Sequence, residues 1–336
     1  MICSVLSVCF GDLRAQADEK LSIKSTSPIK AAADRYKPRP KFIVFEVESL
    51  GKFNVNALSD LAGNASARVR ENLVRQVKVK FPIILKEGLN VIGGVDYRHE
   101  QFKFDMASEP DYPLFQRFED KPLKRISTNF YLKKTLKNKR FVFAYLNNSL
   151  NSDVPQFNNF EDQLKASVSF IYGKQANPNK QIGYGVSFGY DLGQPSVFPL
   201  FIYNHDFSLH WGLQLLLPKS AQLRYSPSNS MHFYAITELK GASYHIQGDV
   251  LNGFDQLEFR RSSVRFNLRV EHEIYDWLWF GVTAGYRVPI NIFLSEPRKN
   301  RRDSLVEVDA QSIQYYNFSI FIVPPTKLYN RAKGSG

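Results

Sequence analysis

Ser208 and His210 lie in the run of this chain that gathers the residue types of hydrolytic chemistry, His205-Asp206-Phe207-Ser208-Leu209-His210. A membrane-embedded lipase needs a serine activated by a histidine, both held at the lipid-facing rim. In extended backbone, residues two apart share a face, so the two side chains could meet. Enzymes of that type follow the serine with Asn-Gly; here Leu209 follows it. A tight hairpin with a histidine at its interface accounts for the run as well. The expectation is a non-enzyme, with a lipid hydrolase using Ser208 and His210 as the alternative.

Metal and phosphate chemistry have less support. His99, His205, His210, His232, His245 and His272 are scattered, and Glu271-His272-Glu273 is a run too common to imply zinc. There is no phosphate-binding loop. The glycines of Gly183-Tyr-Gly-Val-Ser-Phe-Gly189 fall within a strand, where they relieve crowding in a curved wall. No metal and no cofactor are expected.

The elements that must position these residues are strands. In Gln181–Asp191 every even position is large and apolar or aromatic, and every odd position is polar or glycine. A strand sends successive side chains to opposite faces, so one face is greasy and the other wet. The pattern recurs at 89–98, 164–173, 208–217, 263–271, 277–288 and 314–323. It is weaker at 41–49, 67–83, 123–134, 139–148, 197–206, 220–226, 231–239 and 241–249. Residues 57–76 are an exception, with a short helical turn expected near Ala57.

The wet faces carry Asp96, Arg98, Lys165, His210, Gln214, Arg265, Arg269, Glu271 and Arg287. In a sealed soluble core each such charge costs several kcal/mol unless paired. In a barrel these side chains face water or one another, as lumen-lining residues. They could form a conduit or binding lumen with an anion preference, or a plugged, self-paired interior. The opposite faces, with Tyr184, Val186, Phe188, Val264, Phe266 and Leu268, are expected to face lipid. Aromatics near strand ends, Tyr244 and Trp277 among them, are candidates for interface girdles, and Trp277 and Trp279 share a face of lumenal register.

Composition bounds the class. The 336 residues include 27 Phe, 17 Tyr and 3 Trp, a high aromatic load for a soluble domain. Mean hydropathy is −0.31, and no apolar run is long enough for a membrane helix. The formal charge of +12 raises the question of nucleic acid, but no zinc-finger, helix-turn-helix or RNA-recognition pattern occurs. The polyanions expected instead are lipopolysaccharide phosphates and anionic lipid headgroups. Both cysteines, Cys3 and Cys9, sit in a short apolar start followed by Ala15-Gln16-Ala17, a signal-like pattern with no basic residue ahead of it.

The organisation expected is a signal peptide at 1–17, a flexible periplasmic segment at 18–40, a barrel at 41–323 and a basic tail at 324–336. Short links near 84–88, 135–139 and 174–180 alternate with longer ones at 50–66, 105–122, 149–162 and 289–310. Barrels of the outer membrane have short periplasmic turns and longer outer loops. The raw tally of candidates is odd, and an even count is restored if 220–226 is not an independent strand. That favours 14 strands, with 12 as the alternative.

The segments Gly183-Tyr-Gly-Val-Ser-Phe-Gly-Tyr, Pro199-Leu-Phe-Ile-Tyr-Asn, Trp211-Gly-Leu-Gln-Leu-Leu-Leu-Pro and Ala221-Gln-Leu-Arg-Tyr-Ser-Pro resemble an uncharacterised family of Bacteroidota outer-membrane barrel proteins, over roughly residues 80–325. The resemblance supplies no activity and no site residues. Unlike barrels in general, the chain continues past its last strand with Pro324-Pro325 and a basic tail, which puts the usual C-terminal aromatic insertion signal in doubt unless Phe321 or Tyr329 substitutes for it.

The reading is therefore an all-β transmembrane antiparallel barrel of 12–14 strands in the outer membrane, passing solutes passively or serving envelope structure. A soluble periplasmic β protein is the third reading. Its expected partners are outer-membrane lipids, lipopolysaccharide and the barrel-insertion machinery, with no nucleic acid. A charge at Val186 is expected to be costly and one at Ser187 tolerated.

Overall fold

The computed structural model describes residues 36–105, 112–154, 160–251 and 253–327. The expected signal peptide, most of the 18–40 segment and the end of the tail, with Tyr329, lie outside the described residues. The strands are β1 (Ile43–Leu50), β2 (Phe53–Leu58), β3 (Ala65–Lys86), β4 (Leu89–Asp105), β5 (Leu123–Thr135), β6 (Arg140–Ser152), β7 (Leu164–Asn177) and β8 (Lys180–Gly189). They continue as β9 (Ser196–Asp206), β10 (Trp211–Leu217), β11 (Ser220–Ser228), β12 (Met231–Leu251), β13 (Phe254–Tyr275), β14 (Leu278–Ser295), β15 (Ser304–Ala310) and β16 (Ile313–Ile322). Two helices, α1 (Pro113–Asp120) and α2 (Phe160–Gln163), lie in the connections.

All sixteen segments join one sheet, closed because β1 pairs with β16 on one side and β3 on the other. β1 and β2 follow β3 in one unbroken register, and β15 and β16 follow β14 likewise, apart from a shift at the start of β15. Each pair is one interrupted strand, so sixteen segments make fourteen wall strands. The even count arises differently from the sequence expectation. Residues 220–226 belong to β11, a full strand paired with both β10 and β12, whereas 231–239 and 241–249 are one strand, β12. Gly241 and the doubly buried run Ser243-Tyr244-His245-Ile246 hide the alternation there. The expected helical turn near Ala57 is instead β2, followed by a turn in which the Ser59 hydroxyl accepts the Leu61 and Ala62 N–H groups.

Outward faces carry the apolar side chains, from Phe45 and Val47 on β1 through Phe170 and Tyr172 on β7 to Phe318 and Ile320 on β16. Tyr184 and Leu268 are each 68% exposed, and Phe188 and Phe266 are also exposed; Val186 and Val264 are half-buried between larger neighbours. So continuous an apolar belt around a closed sheet is a lipid-facing surface, and the protein is an outer-membrane barrel. The described links at the end holding 87–88, 178–179 and 276–277 are short, and those at the opposite end are mostly longer. This places the first and last described residues, 36 and 327, on the periplasmic side.

The outer half departs from a plain cylinder. β10 and β11 stop early while β12 and β13 rise past them, and β12 crosses to meet β6 in a parallel bridge, His245 to Ser152. Inside this smaller ring Leu114, Phe115 and Phe118 of α1 pack with Phe102, Phe104, Ile246, Leu257, Phe259 and Leu294. Tyr244, expected in a girdle, is fully buried in this plug. The notch above the β10–β11 hairpin is filled by residues 190–195 after β8. Asp191 there accepts from Ser167 at 2.8 Å and Ser187 at 2.6 Å and pairs with Lys219. Ser187 is thus fully buried, and the tolerance expected at this position does not hold, because the folded-in loop leaves a new charge no water.

Two outcomes follow from this packing. Val186→Lys should cost about 2–4 kcal/mol at mid-bilayer depth, measured by urea unfolding in vesicles. A Cβ on Gly241 would stand 1.9 Å from the Leu192 carbonyl carbon. Gly241→Ala should therefore cost about 1–3 kcal/mol and open the 190–195 loop to protease, with intact resistance counting against this close approach.

Candidate functional site: the lumen

The interior divides into a periplasmic mouth, a polar cavity and a charged layer beneath the apolar plug. The mouth is narrowed by residues 36–40, the end of the segment expected to be flexible, together with Lys41. Arg39 reaches Asp276 at 2.9 Å, Glu273 at 3.2 Å and the Pro324 carbonyl at 2.9 Å, with its guanidinium 5.5 Å from the Trp279 ring centre. Lys41 meets Glu271 at 2.5 Å, and Lys37 and Arg224 converge on Asp206. Trp279 points inward and stacks on His232, whereas Trp277, in the turn, is exposed. Phe321 also points inward, under Lys41. At the rim, burial would raise the Asp276 carboxyl, but bonds from Thr326 and the charge of Arg39 outweigh it and hold the pKa below the usual aspartate range. This latch is therefore intact at neutral pH and loosens only as pH falls through that depressed value.

The hydrolytic residues do not pair. Ser208 lies in the short link between β9 and β10, where its hydroxyl accepts the His210 and Trp211 backbone N–H groups. The His210 Nδ1 is 2.6 Å from the Ser226 carbonyl, and its ring packs edge-on against Tyr36. The geometry caps a tight turn.

Above the mouth lies a cavity of about 340 Å³. Lys78, Lys80, Arg125 and Lys165 supply positive charge around it, Asp96 and Asp191 negative charge, and Ser127, Asn147 and Ser149 neutral donors and acceptors. Asn129 accepts from Tyr145 at 2.7 Å and Asn147 at 2.8 Å, and the Tyr131 and Tyr145 rings stand 4.6 Å apart. Among the expected lumen residues, Asp96 is buried against Gln76 at 2.6 Å, with Arg125 at 3.5 Å. Lys165 is bound to Glu258 at 3.0 Å. Gln214 bonds Gln222 and is accessible from the lumen. Arg269 holds Thr283 at 3.2 Å and lies 3.8 Å from Glu271.

The layer under the plug brings together Arg98, Arg265 and Arg287 with three residues the sequence reading passed over. Glu100, with no exposed surface, accepts from Arg261 at 2.7 Å and from Arg98 at 3.2 Å, and Glu48 accepts from Arg265 at 2.7 Å. Glu100 and Arg261 escaped because the candidates 89–98 and 263–271 stopped two residues short of them. Glu48 alternates with Phe45 and Val47, a signal present in the weak 41–49 candidate. Removing one partner of a buried pair leaves the other charge uncompensated. Glu100→Gln should therefore destabilise by about 3–5 kcal/mol in reversible urea unfolding, and an unchanged midpoint would show the arginines to be neutralised elsewhere.

No curated protein matches the sequence. Solved structures with similar chain traces include a deletion mutant of the TodX monoaromatic hydrocarbon channel, at 8% identity and a TM-score of 0.42, covering 85% of this chain and 91% of that one. An outer membrane channel from Pseudomonas putida F1 aligns at 8% identity and a TM-score of 0.38 over 90% and 100% of the two chains. The NanC porin aligns at 6% identity and a TM-score of 0.34 over 83% and 100%. Likeness at this level carries no argument about cargo. The sequence profile of the domain of unknown function DUF6268 matches residues 116–301, from the plug helix to the last outer loop, and the chain belongs to that family.

Proposed function

We propose that this barrel admits and holds small hydrophilic solutes, with a preference for anions, and that its outer end is closed in the conformation described. The observation that carries the reading is the 340 Å³ cavity with its cationic and amide lining, set below an apolar plug built around α1. Charged and amide groups of this kind can replace the hydration shell of a polar solute. The formal charge of +12 supports anions over cations. Outer-membrane lipids and lipopolysaccharide are the surroundings proposed for the outer belt and basic surface.

Planar-bilayer recording tests this. The intact protein should show little steady conductance. Replacing residues 113–120 with a Gly/Ser linker should open a current whose reversal potential is anion-selective. The replaced protein must still show heat-modifiable migration, the mark of a folded barrel. If it is folded and stays closed at all voltages, passage is excluded and the self-paired interior serves envelope structure.

A further inference from the structure

Arg287 stands directly opposite Arg265 in the β13–β14 ladder, both pointing inward. Like charges so placed repel unless something lies between them. Arg265 is bonded to Glu48, while Arg98 and Arg261 share Glu100. Among the described residues the layer thus sets four guanidinium groups against two carboxylates. Arg287 is 7% exposed, and its Nε is buried with no hydrogen-bond partner. Among those residues it also has no ion pair and no aromatic face beneath it. A guanidinium cannot shed its proton in a protein, so the charge persists and needs a counter-charge.

Beside this arginine the plug leaves a partly open apolar cavity of about 50 Å³. Phe102, Phe104, Phe115 and Phe118 contribute to its walls, and Arg261 and Arg287 border it. The two features adjoin: a planar fork of donors without an acceptor, and a dry space beside it. We propose that Arg287, flanked by Arg261, binds a small monocarboxylate whose short aliphatic chain enters the phenylalanine cavity. A guanidinium and a carboxylate match as a bidentate pair, and the cavity selects a carboxylate bearing carbon over a bare inorganic anion. The site belongs to the plug and holds whether or not the barrel conducts.

Titration calorimetry and thermal unfolding of the full-length protein in detergent, in a zwitterionic buffer without added salt, test the proposal. The probes are butyrate, phosphate and chloride at matched ionic strength. Butyrate should bind and raise the melting temperature, and the other two should do so less. Arg287→Gln should weaken butyrate binding about tenfold or more. Without any added anion the same variant should be at least as stable as the parent, because it removes an uncompensated buried charge. Lys103→Gln, which alters an exposed lysine paired with Glu71, should leave butyrate binding unchanged. Equal binding of chloride or phosphate, no butyrate binding by the parent, or full butyrate binding by Arg287→Gln would each overturn the proposal.

Discussion

A strand edge exposed to hydrocarbon has no water to satisfy its N–H and C=O groups, so the whole molecule depends on one seam. β1 makes that seam. It pairs along its length with β16 on one side and with β3 on the other, joining the two ends of the chain into a ring. The seam is renewed in the outer half, where β2 and β15 take over the same two registers. Between the halves, near Gly51 and Lys52, the inward face changes from even to odd positions. Above that level the inward side chains of β2 and the paired start of β3 are apolar, and below it β1 and β3 turn Glu46, Glu48, Gln76 and Lys78 inward.

That change of face divides the interior into two solvents. Below it, ion pairs such as Lys78–Glu46 and Arg224–Asp206 keep charges in place beside a wet cavity. Above it, α1 and the crossing part of β12 complete a dry core resembling that of a soluble protein. The boundary between them carries the arginine layer. Buried guanidinium groups are costly alone and acceptable in partnership, so Glu48 and Glu100 determine whether this boundary is stable. The two carboxylates come from β1 and β4, distant in sequence from the arginines of β13, so the layer also ties remote parts of the ring together.

Much of this was legible in the chain. The outward positions of β8, Tyr184, Val186 and Phe188, follow from alternation alone, as does the inward placement of Arg265 and Arg269, because two-residue periodicity is a local property of extended backbone. The Ser208–His210 run looked chemical in sequence and proved to be a turn, since a serine hydroxyl beside two free backbone N–H groups bonds them first. Ser187 shows the opposite limit. Its face was legible, but its environment was not, because residues 190–195 fold back over it.

The sequence by itself determined the alternation of the clear strands and the solvent on each of their faces; β2, β15, which lies in the expected 289–310 loop, and the continuity of β12 were not legible in it, and the even count came from the demand for closure. Alternation is set by neighbouring residues alone. Only the tertiary structure decided what fills the wall. The plug, the bridge from β12 to β6 and the unmatched charge of Arg287 depend on contacts between segments far apart in the chain. Local periodicity says which way a side chain points, and it carries no information about what waits on the other side of the lumen.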